Sequence, residues 1–265
     1  MTVLRRLAIA LLSVGMLATG AARAASTTNF SDQWWIPTES GWGASVLQQS
    51  DVLFIDLFVY GADGKPTWFT AAATRRASAP AGHVVFSGDL QLTSGPYFGG
   101  AWNPAAVGYR KVGTLTFDAA TVNDATLTYT VDGAMIVKNV TRQLWRFENL
   151  SGSYFGGDSG EQTFCGADNG HWETQYAYQV THNSDNSIAI TMKDPQGRTE
   201  TLTGTYTQSG HMGQITGTLI LSNGLTGTVN MFEIETSISG ITGRGHMVLQ
   251  PGGCVWDGRW GGVRR

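Results

Sequence analysis

The sequence predicts an all-β protein: two tandem antiparallel β-barrel or β-sandwich domains behind a cleaved leader. Three observations carry that expectation. Short runs rich in Val, Ile, Thr and aromatic residues recur along the chain, bounded by Gly-rich, Asp-Gly and Asn-Gly turns. Beyond Ala24 no run keeps apolar residues at helical spacing for more than two turns. Composition agrees: glycine supplies 35 of 265 residues and charged residues only 14%, while 42% are hydrophobic, too apolar for a disordered chain.

Residues 1–24 read as a secretory leader. Arg5 and Arg6 make its positive start, residues 7–20 its apolar middle, and Ala22-Arg23-Ala24 an A-x-A cleavage site. The apolar run is short for a bilayer span and no second one follows, so stable membrane insertion is not expected. The mature chain, from about Ala25, is then periplasmic or extracellular. Losing Arg5, Arg6 and Arg23 takes the formal net charge from −3 to −6. Phosphate neutralisation needs a concentrated basic surface, and the chain carries none, which excludes a nucleic-acid partner.

The first domain is expected over residues 25–148, and residues 33–69 organise it. Val52–Tyr60 is too short for an ordinary buried helix and dense in β-formers. At period 2, Leu53, Ile55, Leu57 and Val59 share one face, and Phe54, Asp56, Phe58 and Tyr60 the other. Both faces are apolar apart from Asp56, so this strand should be covered on both sides. Residues 41–48 pair with it across Gln49-Ser50-Asp51, and residues 67–71 return after Asp63-Gly64, whose two positions should take the positive φ of a tight hairpin. Further strands are expected at 83–92, 112–117, 125–131 and 135–147, with Asp132-Gly133 joining the last two and a turn-rich loop at 93–107. With the piece around Trp34-Trp35 this makes about eight strands, enough to close and so remove apolar sheet edges.

The second domain, 149–265, changes style near residues 148–152: its strands are thinner and Thr/Gly-rich. They are expected at 171–181, 187–192, 199–207, 213–221, 226–233, 243–249 and 255–260. The tetrapeptide YFGG occurs at residues 97–100 and again at 154–157, as an echo of duplication would. The only two cysteines, Cys165 and Cys254, fall here. An even pair in an oxidising compartment reads as a disulfide, closing a loop of about 90 residues worth about 4–5 kcal/mol by chain entropy. They show no C-x-x-C spacing and no histidine at ligand distance in sequence.

Two motifs stand out in the first half: Trp34-Trp35-Ile36-Pro37-Thr38-Glu39-Ser40-Gly41-Trp42-Gly43, and Tyr60-Gly61-Ala62-Asp63-Gly64-Lys65-Pro66-Thr67-Trp68. With Gly95-Pro96-Tyr97-Phe98 and Thr141-Arg142-Gln143-Leu144 downstream, residues 29–147 resemble an uncharacterised W-W-x-P-x-E-S-G-W-G module of exported, mostly proteobacterial proteins. The resemblance implies an exported setting and a domain of this extent; it implies no reaction. The second half carries no such resemblance.

The candidate ligand-binding residues are Trp34, Trp35, Trp42 and Trp68 as aromatic contacts, with Glu39 and Asp56 as polar anchors. Adjacent Trp34 and Trp35 point to opposite faces of an extended chain, so one of them should be exposed and free to stack on a sugar ring or apolar ligand. Asp56 interrupts an apolar face and needs a donor, for which Arg75, Arg76, Arg110 and Arg142 are available. Ser40 lacks a G-x-S-x-G elbow, the histidines form no H-E-x-x-H, and no phosphate-cradling glycine pattern precedes a helix. Neither a cofactor nor a metal is expected. The reading is an exported, non-catalytic binding or accessory protein for a small molecule, glycan or protein ligand. The alternatives are a hydrolase using Glu39 or Asp56, whose pairing would require a set carboxyl separation, and a purely structural surface or adhesion domain.

Overall fold

The computed structural model describes residues 28–265; the expected leader lies outside them. The first eight strands are β1 (Asp32–Trp35), β2 (Gly43–Gln49), β3 (Val52–Tyr60), β4 (Pro66–Arg75), β5 (Val84–Ser94), β6 (Gly108–Ala119), β7 (Asp124–Val131) and β8 (Ala134–Arg142). The next eight are β9 (Gly152–Thr163), β10 (Gly170–His182), β11 (Ser187–Lys193), β12 (Thr199–Ser209), β13 (Met212–Ile220), β14 (Thr226–Ser237), β15 (Gly240–Gln250) and β16 (Val255–Arg264). Each set pairs neighbour to neighbour, antiparallel, and closes on itself: two eight-stranded barrels in tandem rather than sandwiches. In β3 Leu53, Ile55 and Leu57 point inward, and Phe54, Asp56, Phe58 and Tyr60 make the outer face.

The β2–β3–β4 meander forms as its residues dictate, with Asp56 opposite Ser45 and Thr70. Leu53, Ile55 and Leu57 are fully buried. The other face of β3 corrects the expectation of cover on both sides: Phe54 is 44%, Phe58 40% and Tyr60 57% exposed. A single closed wall has no second layer outside it, and Phe58 and Tyr60 cover glycines instead. A Cβ at Gly43 would lie 2.9 Å from Phe58 Cζ, and one at Gly41 would lie 3.1 Å from Tyr60 Oη. The turn chemistry also divides. Asp132 and Gly133 both take positive φ, as a two-residue hairpin requires, whereas at Asp63-Gly64 only Gly64 does. That loop is wider, and the Gly61 N–H donates to Lys65 O at 2.9 Å.

Inside the first barrel the space is taken. Trp34 meets Phe117 edge-on at 5.0 Å, and Phe30 meets Phe86 at 5.9 Å and Phe117 at 5.8 Å. Burying each such ring contributes on the order of 2–3 kcal/mol. β8 stops at Arg142, short of the expected residue 147, because residues 143–151 leave the wall and run to the second barrel.

The strand that sequence reasoning missed is β9. Its text, GSYFGGDSGEQT, is poor in β-formers. It is a strand because its glycines meet glycines: Gly156 faces Gly262, Gly157 faces Gly261 and Gly160 faces Gly258 across the β9–β16 seam. A Cβ at Gly156 would overlap the Gly261 carbonyl, and one at Gly160 the Asp257 carbonyl. The two YFGG copies differ accordingly, the first in the β5–β6 loop and the second inside β9, so their likeness reflects no shared local structure.

One buried cation joins the two halves. The Arg142 side chain has no solvent exposure and stacks 4.8 Å over the Trp34 ring. It donates to the carbonyls of Asn29 (2.6 Å), Val122 (2.8 Å) and Ser31 (3.2 Å) and to Asp32 Oδ2 (3.2 Å). Burial lowers the Arg142 pKa while the Asp32 charge opposes that shift. Asp32 Oδ2 in turn accepts from the His211 backbone N–H at 3.0 Å and contacts His211 Nδ1 at 2.7 Å, in the β12–β13 turn of the second barrel. Burial pushes the Asp32 carboxyl up, but the hydrogen bonds from His211 and Gln33 outweigh it and leave it lowered. Gly210 takes φ +57 beside them, where any side chain would strike the Asp32 carboxylate. Arg142→Met should therefore cost roughly 3–5 kcal/mol, since it leaves Asp32 and three carbonyls without their donor. A shift in urea midpoint worth less than about 1 kcal/mol would remove Arg142 from this role.

Candidate functional site

The turns of the second barrel divide between its two ends. The β10–β11, β12–β13 and β14–β15 turns lie at the end where His211 meets the first barrel. The β9–β10, β11–β12, β13–β14 and β15–β16 loops gather at the other end, where the Cys165–Cys254 disulfide ties the first of them to the last.

Between these loops a cavity of about 450 Å³ opens into the barrel. Asp158 of β9, Tyr176 of β10, Glu200 of β12, Met231 of β14, Met247 of β15 and Trp256 of β16 line it, and both cysteines and Arg198 stand at its rim. A narrow lobe of about 20 Å³ continues below, bounded by Asp158, Tyr178 and Trp260. The near half of the same barrel is filled by Tyr154, Tyr206, Ile188, Ile215 and Ile241, so the cavity has a floor.

Strand alternation places each lining side chain. In β10, Tyr176, Tyr178 and Val180 fall on the buried positions of a period-2 pattern. Trp256 lies flat on the wall because its neighbours have no side chains. A Cβ would come 2.8 Å from its Nε1 at Gly160, 2.7 Å from Cζ3 at Gly245 and 2.5 Å from Cζ2 at Gly258.

The polar groups here lack partners. Among the described residues six buried side-chain atoms have no hydrogen-bond partner, and three of them, Asp158 Oδ1, the Tyr178 hydroxyl and Trp256 Nε1, belong to this cavity. Such groups normally find partners when buried, so their convergence marks a site. Burial, then the Glu200 charge, raises the Asp158 carboxyl from its ordinary 3.8 to about 7, with hydrogen bonds from the Trp172 side chain and the Thr174 backbone offsetting part of the rise. Burial likewise raises Glu200, although the Tyr176 hydroxyl donates to its Oε2 at 3.3 Å and Arg198 pulls the other way. Tyr176 and Tyr178 are both raised by burial first and by these two carboxylates next.

The residues singled out from sequence sit elsewhere, on the first barrel. Trp34 is a correction: it has no exposure, its Nε1 donates to the Phe30 carbonyl at 3.0 Å, and it belongs to the core. Trp35 is half-buried. Glu39 and Trp42 do come together in the β1–β2 loop. The Trp42 indole donates to Glu39 Oε2 at 3.0 Å, and Lys138 donates to the same oxygen at 2.6 Å while lying 5.2 Å over the Trp42 ring. The Lys138 hydrogen bond first, and the Trp42 one after it, hold the Glu39 carboxyl below its usual range. Trp68 is exposed on the outer wall opposite Phe58 and donates to Thr93 Oγ1 at 3.1 Å. Asp56 lies beside Phe58 on that wall without an arginine: Arg110 pairs with Asp132 and Arg142 with Asp32. Partial burial raises its pKa. Apart from buried Trp34, this set lies on the surface of the first barrel.

In comparisons with known proteins, no family model and no curated sequence matches this chain.

The raised acid has a sign that can be checked. Folding lifts the Asp158 pKa, so the folded chain binds more protons than the unfolded one between about pH 4 and 7, and this residue's contribution to stability falls as pH rises through that window. Asp158→Asn should therefore stabilise the protein near pH 8 by up to about 4 kcal/mol, with little change near pH 4. Urea midpoints of the two proteins at these pH values decide it; a variant less stable than its parent near pH 8 refutes the assignment.

Proposed function

We propose that this is an exported, non-catalytic binding protein whose second barrel captures a small, mostly apolar molecule in its cup. The observation that carries the reading is the cavity of about 450 Å³ on which three unpartnered buried polar atoms converge. A few convergent polar groups in an apolar lining are the usual make-up of a small-molecule site, and the volume lies within the common range of roughly 300–1,000 Å³. The resemblance of residues 29–147 to a module of exported proteins and the disulfide at the rim both suit an oxidising compartment. Hydrolysis gains no support: Glu39 is held by Lys138 in a loop, and Asp56 stands mid-strand without a catalytic companion.

Titration with N-phenyl-1-naphthylamine, a neutral apolar fluorophore, tests the cup. One saturable site is expected, and Met247→Trp, which fills the cavity, should weaken it by about tenfold or more. A probe that never saturates, or an unchanged affinity in Met247→Trp, rejects the reading.

A second reading rests on the outer wall of the first barrel, where Phe58 and Trp68 lie side by side with Asp56 adjacent. Exposed rings beside a carboxylate are suited to stacking on a sugar. If this wall binds, Trp68→Ala should abolish retention on a glycan array while naphthylamine binding persists. Equal retention by the variant dismisses the wall.

A further inference from the structure

We propose that the cup takes a primary ammonium compound, its apolar body against Met231, Met247 and Trp256 and its charged head between Asp158 and Tyr178. This rests on the reading of the cavity as a binding site and adds the charge and size of the occupant's head.

The charges lining the cavity are one-sided. Asp158, Asp168 and Glu200 line it against one basic residue, Arg198. That guanidinium is held at the rim by Asp194, its ion-pair partner. A carboxylate or phosphate entering here would meet two half-buried acids with no free cation in the lining to balance it. A cation would meet Asp158, which has none beside it, and Glu200, which only Arg198 approaches.

Depth sets the size of the head. The lobe beneath Asp158 and Tyr178 holds about 20 Å³, close to the space of a single water. An –NH₃⁺ group, about the size of a water, fits such a lobe.

Hydrogen bonding matches in direction. A primary ammonium offers three donors and no acceptor. Asp158 Oδ1 and the Tyr178 hydroxyl oxygen are the two unpartnered buried acceptors bounding the lobe. The Tyr176 hydroxyl is already engaged, donating to Glu200, which keeps that carboxylate as a nearby counter-charge. The Tyr178 and Trp260 rings, 6.4 Å apart and steeply inclined, flank the same lobe, and aromatic surroundings suit a cation. Apart from the aromatic hydroxyls, the charged groups about Asp158 are Glu200 of β12, Arg198 and Asp194 of the β11–β12 loop and Asp168 of the β9–β10 loop, and no lysine or histidine lines the cavity.

Isothermal titration near pH 8 with 2-phenylethylammonium, 2-phenylethanol and 3-phenylpropanoate tests this with one body and three head charges. The ammonium should bind about tenfold or more tighter than the alcohol, and the carboxylate weakest. In Asp158→Asn the alcohol should bind as before, which reports an intact cup, while the preference for ammonium shrinks to about twofold. Equal affinity for ammonium and alcohol, preference for the carboxylate, or a preference untouched in Asp158→Asn overturns the ammonium assignment and leaves the cup standing as a binding site. Failure of all three ligands and of the naphthylamine probe removes both.

Discussion

Eight closed antiparallel strands fix the width of a barrel, so what its interior becomes depends on the bulk of the residues that alternation points inward. Both halves of this chain obey the constraint with opposite results. Trp34, Phe86 and Phe117 fill the first interior, and close packing there leaves no room for a guest. In the second, inward positions go to Gly160, Gly245 and Gly258, and a large ring, Trp256, folds back against the wall where their side chains would have been. Tryptophan closes one barrel and lines the other. The difference is made by the glycines across from it.

That distinction explains how far the sequence could be read. Strand after strand was legible from β-branched runs and Gly turns, as in Val52–Tyr60 and Ser187–Lys193. The thinning of the second half was visible too. What its thinness meant was not, because a glycine in a strand reads locally as weakness; only the partner across the seam shows it to be a close approach. β9 was lost for this reason, and Asp158 with it. The tryptophan-dense stretch drew attention to the first barrel as the ligand site. Of its four tryptophans only Trp34 is fully in the core; Trp35 and Trp42 are half-buried and Trp68 is exposed. Tyr176 and Tyr178 stood in plain alternation with Val180, and their facing pattern was the one available pointer to the second interior.

The junction gives the cup its floor. Residues 143–151 leave the first barrel and press Phe147 against Tyr206 at 5.5 Å and His182 at 5.9 Å, while Leu150 is fully buried and its carbonyl accepts from the Tyr154 hydroxyl at 2.9 Å. The loop-rich end is left as the way in. Because Asp32 and Arg142 hold the β12–β13 turn from the opposite side, the first barrel and the passage leading from it brace the end that stays shut. The mouth is constrained separately, by the disulfide between its first and last loops.

A fully buried charge and two half-buried ones therefore coexist and differ in what surrounds them. Arg142 is enclosed by carbonyls and Asp32, and its desolvation is offset by partners the fold itself supplies. Asp158 and Glu200 are only partly answered: Oδ1 of the first has no partner, and both acids sit above their ordinary pKa. An apolar pair of the same shape would close this barrel with less cost to stability. Groups that weaken a fold where nothing in it needs them are best accounted for by something outside it, and a charge of the opposite sign is the guest that would turn that cost into binding energy.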